Sequence, residues 1–312
     1  MISSIFGKTK PVNFIILLGF LFLFYWCVQF YLLDQGFSTE NILLRTLVLG
    51  ILLFSIFVVD FIVKRNKLTG PNSFPILFFT MLIVVFPETL GDNNAILSTF
   101  FLLLASRRLL SLKSLKNIKS KIFDATFWIL ISSLFYEWAV LYVILVFAAI
   151  YIYEPKNIRN WLTVVPATFC WFFILYSILI LMNKTAFIGD HYNFNIDFNV
   201  IYPAKWWSSL KLTIYVMANV ILAFFAFLKL GKSGMGKIVT IRLIALSFII
   251  GLIVNLLVAT ENNQAIIITF FPSVIFITNY MESIKKPNIL EIVLIMGIFL
   301  PLLMFFYKLV VL

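Results

Sequence analysis

"FPILFFTMLIVVFPETLGDNNAILSTFFLLLA", residues 74–105, sets two apolar runs on either side of a short polar turn. Neither run alternates apolar with polar residues as a lipid-facing β-strand would, so the stretch is helical. At 1.5 Å per residue, runs over 74–86 and 94–105 reach only ~18–20 Å, less than the ~30 Å hydrocarbon core of a bilayer. Glu88 and Asp92 stand in the turn between them. The stretch therefore predicts a hairpin of two undersized membrane helices with carboxylates at its bend.

The rest of the chain repeats the theme. Of 312 residues, 62% are hydrophobic and only 12% charged, and the mean hydropathy is +1.07. A soluble domain carries about twice that share of charge, so most of this chain belongs in lipid. Apolar runs predict about eleven spans: 12–33, 42–63, 74–86, 94–105, 123–136, 139–153, 161–182, 208–230, 238–259, 265–281 and 289–310. Residues 123–153 as one helix would reach ~46 Å, too long for a bilayer, so the run is split at "FYEWAV" with Glu137 at the break. The first run, too long for a signal-peptide core and without a small-residue cleavage site, reads as a signal anchor.

Charge tests this topology independently. With the N terminus inside, 19 of the 24 basic residues fall in inner segments, including Lys64, Arg65 and Lys67, the 107–121 cluster, and Lys285 with Lys286. Arg45, Lys184, Lys205, Lys211 and Lys308 fall outside. That asymmetry is the positive-inside rule. The net charge of +11 thus reports orientation and contact with anionic lipid rather than with nucleic acid. The expectation is an all-α, polytopic transmembrane helical bundle, N-in and C-out, in a bacterial inner membrane. It forms one integral domain over 1–312, without a soluble domain. The short helices at 74–86, 94–105, 123–136 and 139–153 would surround an outward-facing cavity rimmed by Glu88, Asp92 and Glu137, because polar backbone at membrane depth must line a cavity or be enclosed.

No metal or cofactor site emerges. Cys27 and Cys170 both lie in apolar runs, and His191 is the one histidine. "GKSGMGK", residues 231–237, approaches a P-loop, but Ile238 stands where the magnesium-binding hydroxyl belongs and no strand precedes it. "SRRLLSLKSLKNIKSK", residues 106–121, sets Leu109, Leu112, Leu115 and Ile118 at helical steps among Arg107, Arg108, Lys113, Lys116, Lys119 and Lys121. It predicts an interfacial helix on the inner leaflet. Lys205, Trp206 and Trp207, beside Tyr202, suit an interfacial aromatic belt and, alternatively, a place for a sugar ring to rest.

The segment from about Pro75 to Tyr176 resembles the membrane-embedded glycosyltransferases of the GT-C type. The resemblance is carried by the outer turn "PETLGDNNA", the basic connection "SRRLLSLKSLKNIKSK", the hairpin "DATFWILISSLFYEWAVLYVILVFAAIYIYEP" and the span "LTVVPATFCWFFILYSILIL". The chain is also similar to a bacterial polytopic inner-membrane family of this size. The GT-C resemblance implies a GT-C-like part over 12–182, additional helices over 208–310, and a donor that is a sugar on a polyprenyl phosphate. GT-C enzymes carry catalytic acids in a long first outer loop; here that loop is only "DQGFSTE", with Asp34 and Glu40.

Asp34, Glu40, Glu88 and Asp92 are the candidate general bases, since a carboxylate in a desolvated recess gains basicity; each equally suits a helix-end acid. Arg45, one turn inside the second span, needs an anion, either a donor phosphate or Glu40 or Asp34. Glu137 is a further candidate on the rim. Three functions follow: transfer or handling of polyprenyl-linked sugars in envelope glycan assembly, a non-catalytic membrane subunit held in a complex with other membrane proteins, or a transporter.

Overall fold

The structure, a computed structural model, describes residues 2–33, 39–194, 206–230, 235–258 and 265–311. Asp34 and Lys205 lie outside the described residues, as do the side chains of Glu40, Trp206 and Trp207.

Helix α1 (Ile2–Phe6) precedes α2 (Pro11–Cys27), which opens on a proline and continues as a wide turn to Leu32. Helix α3 (Thr39–Asn66) returns and ends at Lys67, whose φ of 52° is left-handed. Helix α4 (Phe74–Val85) again opens on a first-turn proline, and a tight turn over Pro87–Gly91 leads into α5 (Asn93–Leu110). Asp92 caps α5, its Oδ1 accepting from the Ala95 N–H at 3.0 Å.

Helices α6 (Ile118–Ser132) and α7 (Val143–Tyr153) flank a tight turn at Glu137–Tyr142, so the split of 123–153 stands. Next come α8 (Ile158–Leu162), α9 (Val164–Leu181), α10 (Phe187–His191), α11 (Trp206–Leu230) and α12 (Met235–Val258). The chain closes with α13 (Phe270–Met281), entered by a turn at Ala265–Thr269, and α14 (Pro287–Val311). The protein is an all-α integral membrane bundle, and among the described residues seven helical stretches are long and apolar enough to cross a bilayer.

Helix α4 covers ~18 Å and is enclosed along its length, every residue from Phe74 to Val84 being buried. A helix that is apolar all round belongs inside; α4 packs among α2, α3, α13 and α14. Helix α13 is enclosed almost as fully. Three of the long helices are outer ones, 17% of the Leu210–Leu228 window and 22% of the Ile158–Leu181 and Pro287–Leu309 windows being buried, whereas the windows of α3, α5 and α12 are more than half buried. Only a helix that meets lipid must match the hydrocarbon thickness. An enclosed one need not.

Polar contacts fasten the two ends of the bundle. At the end carrying Lys8 and Lys10, the Asn13 amide donates to the Ile5 and Lys8 carbonyls and to Ser73 Oγ. There too, Glu282 accepts from the Gly70 N–H and the Asn72 amide, and Glu291 accepts from the Ile2 and Ser3 N–H groups. At the opposite end, the Gln29 amide donates to the Leu90 carbonyl at 2.8 Å. Between the ends, α12 runs so close to the two tight turns that a Cβ on Gly251 would lie 2.8 Å from the Tyr142 hydroxyl and 2.9 Å from Thr269 Cγ2.

Two sequence expectations are corrected. The run 94–105 is not stunted: the stretch Asn93–Ser114 is 22 residues long, because Ser106, Arg107 and Arg108 continue the helix past the apolar residues. Nor do residues 106–121 form one surface helix. Leu115 and Asn117, both at φ 51°, reverse the chain, so that α5 and α6 pack as an antiparallel hairpin. The Lys121 ammonium ties that reversal by donating to the Ser111 carbonyl at 2.7 Å and to Ser114 Oγ at 2.6 Å. The periodic leucines Leu109 and Leu112 therefore face protein rather than lipid.

Candidate functional site

The polar turn at Pro87–Gly91 is bonded to several helices. Pro87 holds the entry to the turn, and Thr89 donates its hydroxyl back to the Phe86 carbonyl at 2.7 Å. Gly91 lies against Leu33, where a Cβ would come within 3.1 Å of Cδ1. This geometry aims Glu88 across the bundle. Its Oε1 accepts from Lys211 on α11 at 3.0 Å and from Lys308 on α14 at 2.6 Å, and Oε2 accepts from Lys211 at 3.1 Å. Burial opposes the charge on Glu88, but the two ammonium groups outweigh it and hold the carboxyl below its ordinary range. Such a carboxylate is a poor proton acceptor.

Asp92 is committed as well. Besides capping α5, it accepts the Tyr136 hydroxyl on Oδ2, joining the α4–α5 turn to the end of α6. Burial, and then the charge on Asp92, push the Tyr136 phenol far above its usual range, so it keeps the proton that it donates to Asp92. One turn further in, Ser98 and Ser132 share a hydrogen bond of 2.7 Å between α5 and α6.

Among the described residues, aromatic side chains pack directly beneath Glu88. The Phe86 ring carries the Lys211 ammonium 4.8 Å above its centroid and packs edge-on to Tyr215 at 5.2 Å and against Phe270 at 5.9 Å. Leu90, also fully buried, closes the layer.

The remaining candidates scatter. Arg45 is 8% exposed, and its carbonyl accepts the Tyr25 hydroxyl at 3.3 Å, one turn of α2 away from Gln29. Glu137 starts the turn ahead of α7, half-buried beside Tyr136. His191 reaches the Ser133 carbonyl at 2.8 Å, and Tyr192 meets Ser133 Oγ at 2.9 Å, laying α10 over the end of α6. The Asn219 and Asn279 amides donate back along their own helices, to the Tyr215 and Ile275 carbonyls, and Asn279 also reaches the Leu68 carbonyl at 3.4 Å.

At the other end, Arg108 pairs with Asp124 at 2.9 Å across the α5–α6 hairpin, and Arg107 lies 4.7 Å over the Phe61 ring. Lys113 leaves from the reversal itself, while Lys116 and Lys119 project outward. Among the described residues no three His, Cys, Asp or Glu side chains gather as a metal site. Sequence reasoning found Glu88 but not its two lysines, which lie 123 and 220 residues away in the chain. No periodicity marks such pairs. The chain was compared with known family models, curated proteins and solved structures, and none of the three comparisons finds a match.

Proposed function

We propose that this protein is a non-catalytic membrane subunit of envelope glycan assembly, holding polyprenyl-phosphate-linked sugars or their transferase without performing the transfer. The observation that carries the non-catalytic part is the employment of the two acids in the outer turn. Glu88 is bonded to two ammonium groups, and Asp92 spends its oxygens on a helix start and a phenol. A general base needs a lone pair facing a substrate proton; these lone pairs face the protein. The link to polyprenyl-linked donors rests on the GT-C resemblance over about 75–176. The positive-inside rule turns the basic end to the cytoplasm and the Glu88 end outward.

The test is reconstitution of the purified chain in vesicles with a polyprenyl-phosphate sugar, following release of polyprenyl phosphate. The expected result is donor retention, or capture of a specific membrane partner in mild detergent, with no turnover above empty vesicles. Turnover that disappears in Asp34→Asn, Glu40→Gln or Asp92→Asn, with folding intact, would assign transfer to this chain and overturn the proposal.

A further inference from the structure

At the basic end, the last turns of α3 and α5 and the first turn of α6 enclose a cleft of about 620 Å³. Six cations line it: Arg65, Lys67, Arg107, Arg108, Lys113 and Lys121. Among the described residues Asp124, on Arg108, is the one carboxylate paired with any of them. The C-terminal ends of α3 and α5 each contribute roughly half a negative charge, so about four positive charges stay unmatched around a space comparable in width to the Debye length of ~8–10 Å. Cations so close repel one another unless an anion sits among them.

The cations are also positioned. Lys121 is fixed by Ser111 and Ser114, and Arg107 by the Phe61 ring. The stem of Lys113 lies across the start of α12, where a Cβ on Gly236 would approach Lys113 Cε to 2.6 Å. Lys67 is displayed from a left-handed corner just past the end of α3. Beyond the cleft, Phe61, Phe57 and Phe54 follow one another at four- and three-residue steps along α3, each about half exposed. An acyl chain would run along this stripe from a headgroup seated in the cleft.

We infer that the cleft is a binding site for a membrane lipid with a multiply charged phosphate headgroup. The guanidinium and ammonium groups take the phosphate oxygens, and the aromatic stripe takes the chain. This site stands at the end opposite Glu88 and does not depend on the role proposed above.

Native mass spectrometry of the full chain in mild detergent tests it, with equal amounts of phosphatidylcholine, phosphatidylglycerol and phosphatidic acid offered together. Phosphatidic acid, with its doubly charged phosphomonoester, is expected to be retained about ten-fold over phosphatidylglycerol, which is the discrimination of one further charge-assisted bond. Arg107→Gln with Lys113→Gln should abolish that preference. The charge-matched control, Lys116→Gln with Lys156→Gln, removes two cations outside the cleft and should keep it. If the first pair fails to fold, Arg65→Gln with Lys67→Asn reads the same cleft from α3, asparagine being the residue that tolerates the left-handed corner. Equal losses in the cleft and control variants, or equal retention of the two anionic lipids, would overturn the site. Binding of inorganic pyrophosphate with no lipid retained would overturn the lipid assignment.

Discussion

The two ends of this bundle treat charge in opposite ways. At the Glu88 end two carboxylates are answered from within the chain: Glu88 bridges helices α11 and α14, and Asp92 caps α5 while holding Tyr136. At the opposite end, cations from three helices converge on a cleft with a single carboxylate among them. Buried charges that satisfy each other do architectural work, because removing one strands the other in a low dielectric. Charges held together without a counterpart point to something outside the chain. The same residue types therefore carry different meanings at the two ends, and substitutions that neutralise them should separate the two roles.

The largest expected effect lies beneath the matched end. Phe270→Ala removes a fully buried ring packed on Phe79, Phe86 and Tyr215. It should cost ~3–5 kcal/mol in thermal or denaturant unfolding in detergent; a loss under ~1 kcal/mol would mean the floor is looser than the packing implies. Next is Glu88→Gln, which leaves Lys211 buried without its counter-charge. A broken buried pair costs ~3–5 kcal/mol, and the 23% exposure of the Glu88 side chain brings the expectation to about 2–4. Lys211→Met in the same chain should recover most of that loss.

The pH dependence follows the same sign. Because its folded carboxyl lies below the ordinary range, Glu88 stabilises fully above about pH 4.3 and loses its contribution only as pH falls through its lower folded value. Acid titration of unfolding in wild type and Glu88→Gln checks this: the two curves should converge only in that acidic range. Tyr136→Phe is smaller, about 1–3 kcal/mol, for an Asp92 oxygen left without its donor. Smallest of all, Arg107→Gln with Lys113→Gln should change stability within about ±0.5 kcal/mol, since relieved repulsion offsets the lost contact with Phe61.

Much of the architecture was legible in advance. The eleven runs correspond to helices, and the break in 123–153 falls at the turn around Glu137, because hydrocarbon thickness limits how long a straight apolar segment can be. What failed were two inferences from local pattern alone. Leucines at helical spacing in 106–121 looked lipid-facing, yet periodicity records that a face is apolar and not what covers it; protein covers Leu109 and Leu112, and the reversal at Leu115–Asn117 leaves Leu115 exposed. Short runs looked like the walls of a hollow, although α4 is short because other helices enclose it.

The site was less legible than the fold. Glu88 and Asp92 stood out as acids in an apolar setting, but their roles depend on Lys211, Lys308 and Tyr136, brought in by helices distant in the chain. The basic cluster at 107–121 was conspicuous too. Its convergence with Arg65 and Lys67 into one cleft required the packing of α3 against α5.

The contrast between the two ends is tested most directly by unfolding Glu88→Gln and Arg107→Gln/Lys113→Gln side by side, in one detergent at neutral pH. The first should lose ~2–4 kcal/mol and the second should match wild type within about 0.5 kcal/mol. Equal destabilisation of the two, or a loss confined to the arginine–lysine variant, would mean that the basic cleft is held together from within and that the difference drawn between the ends is false.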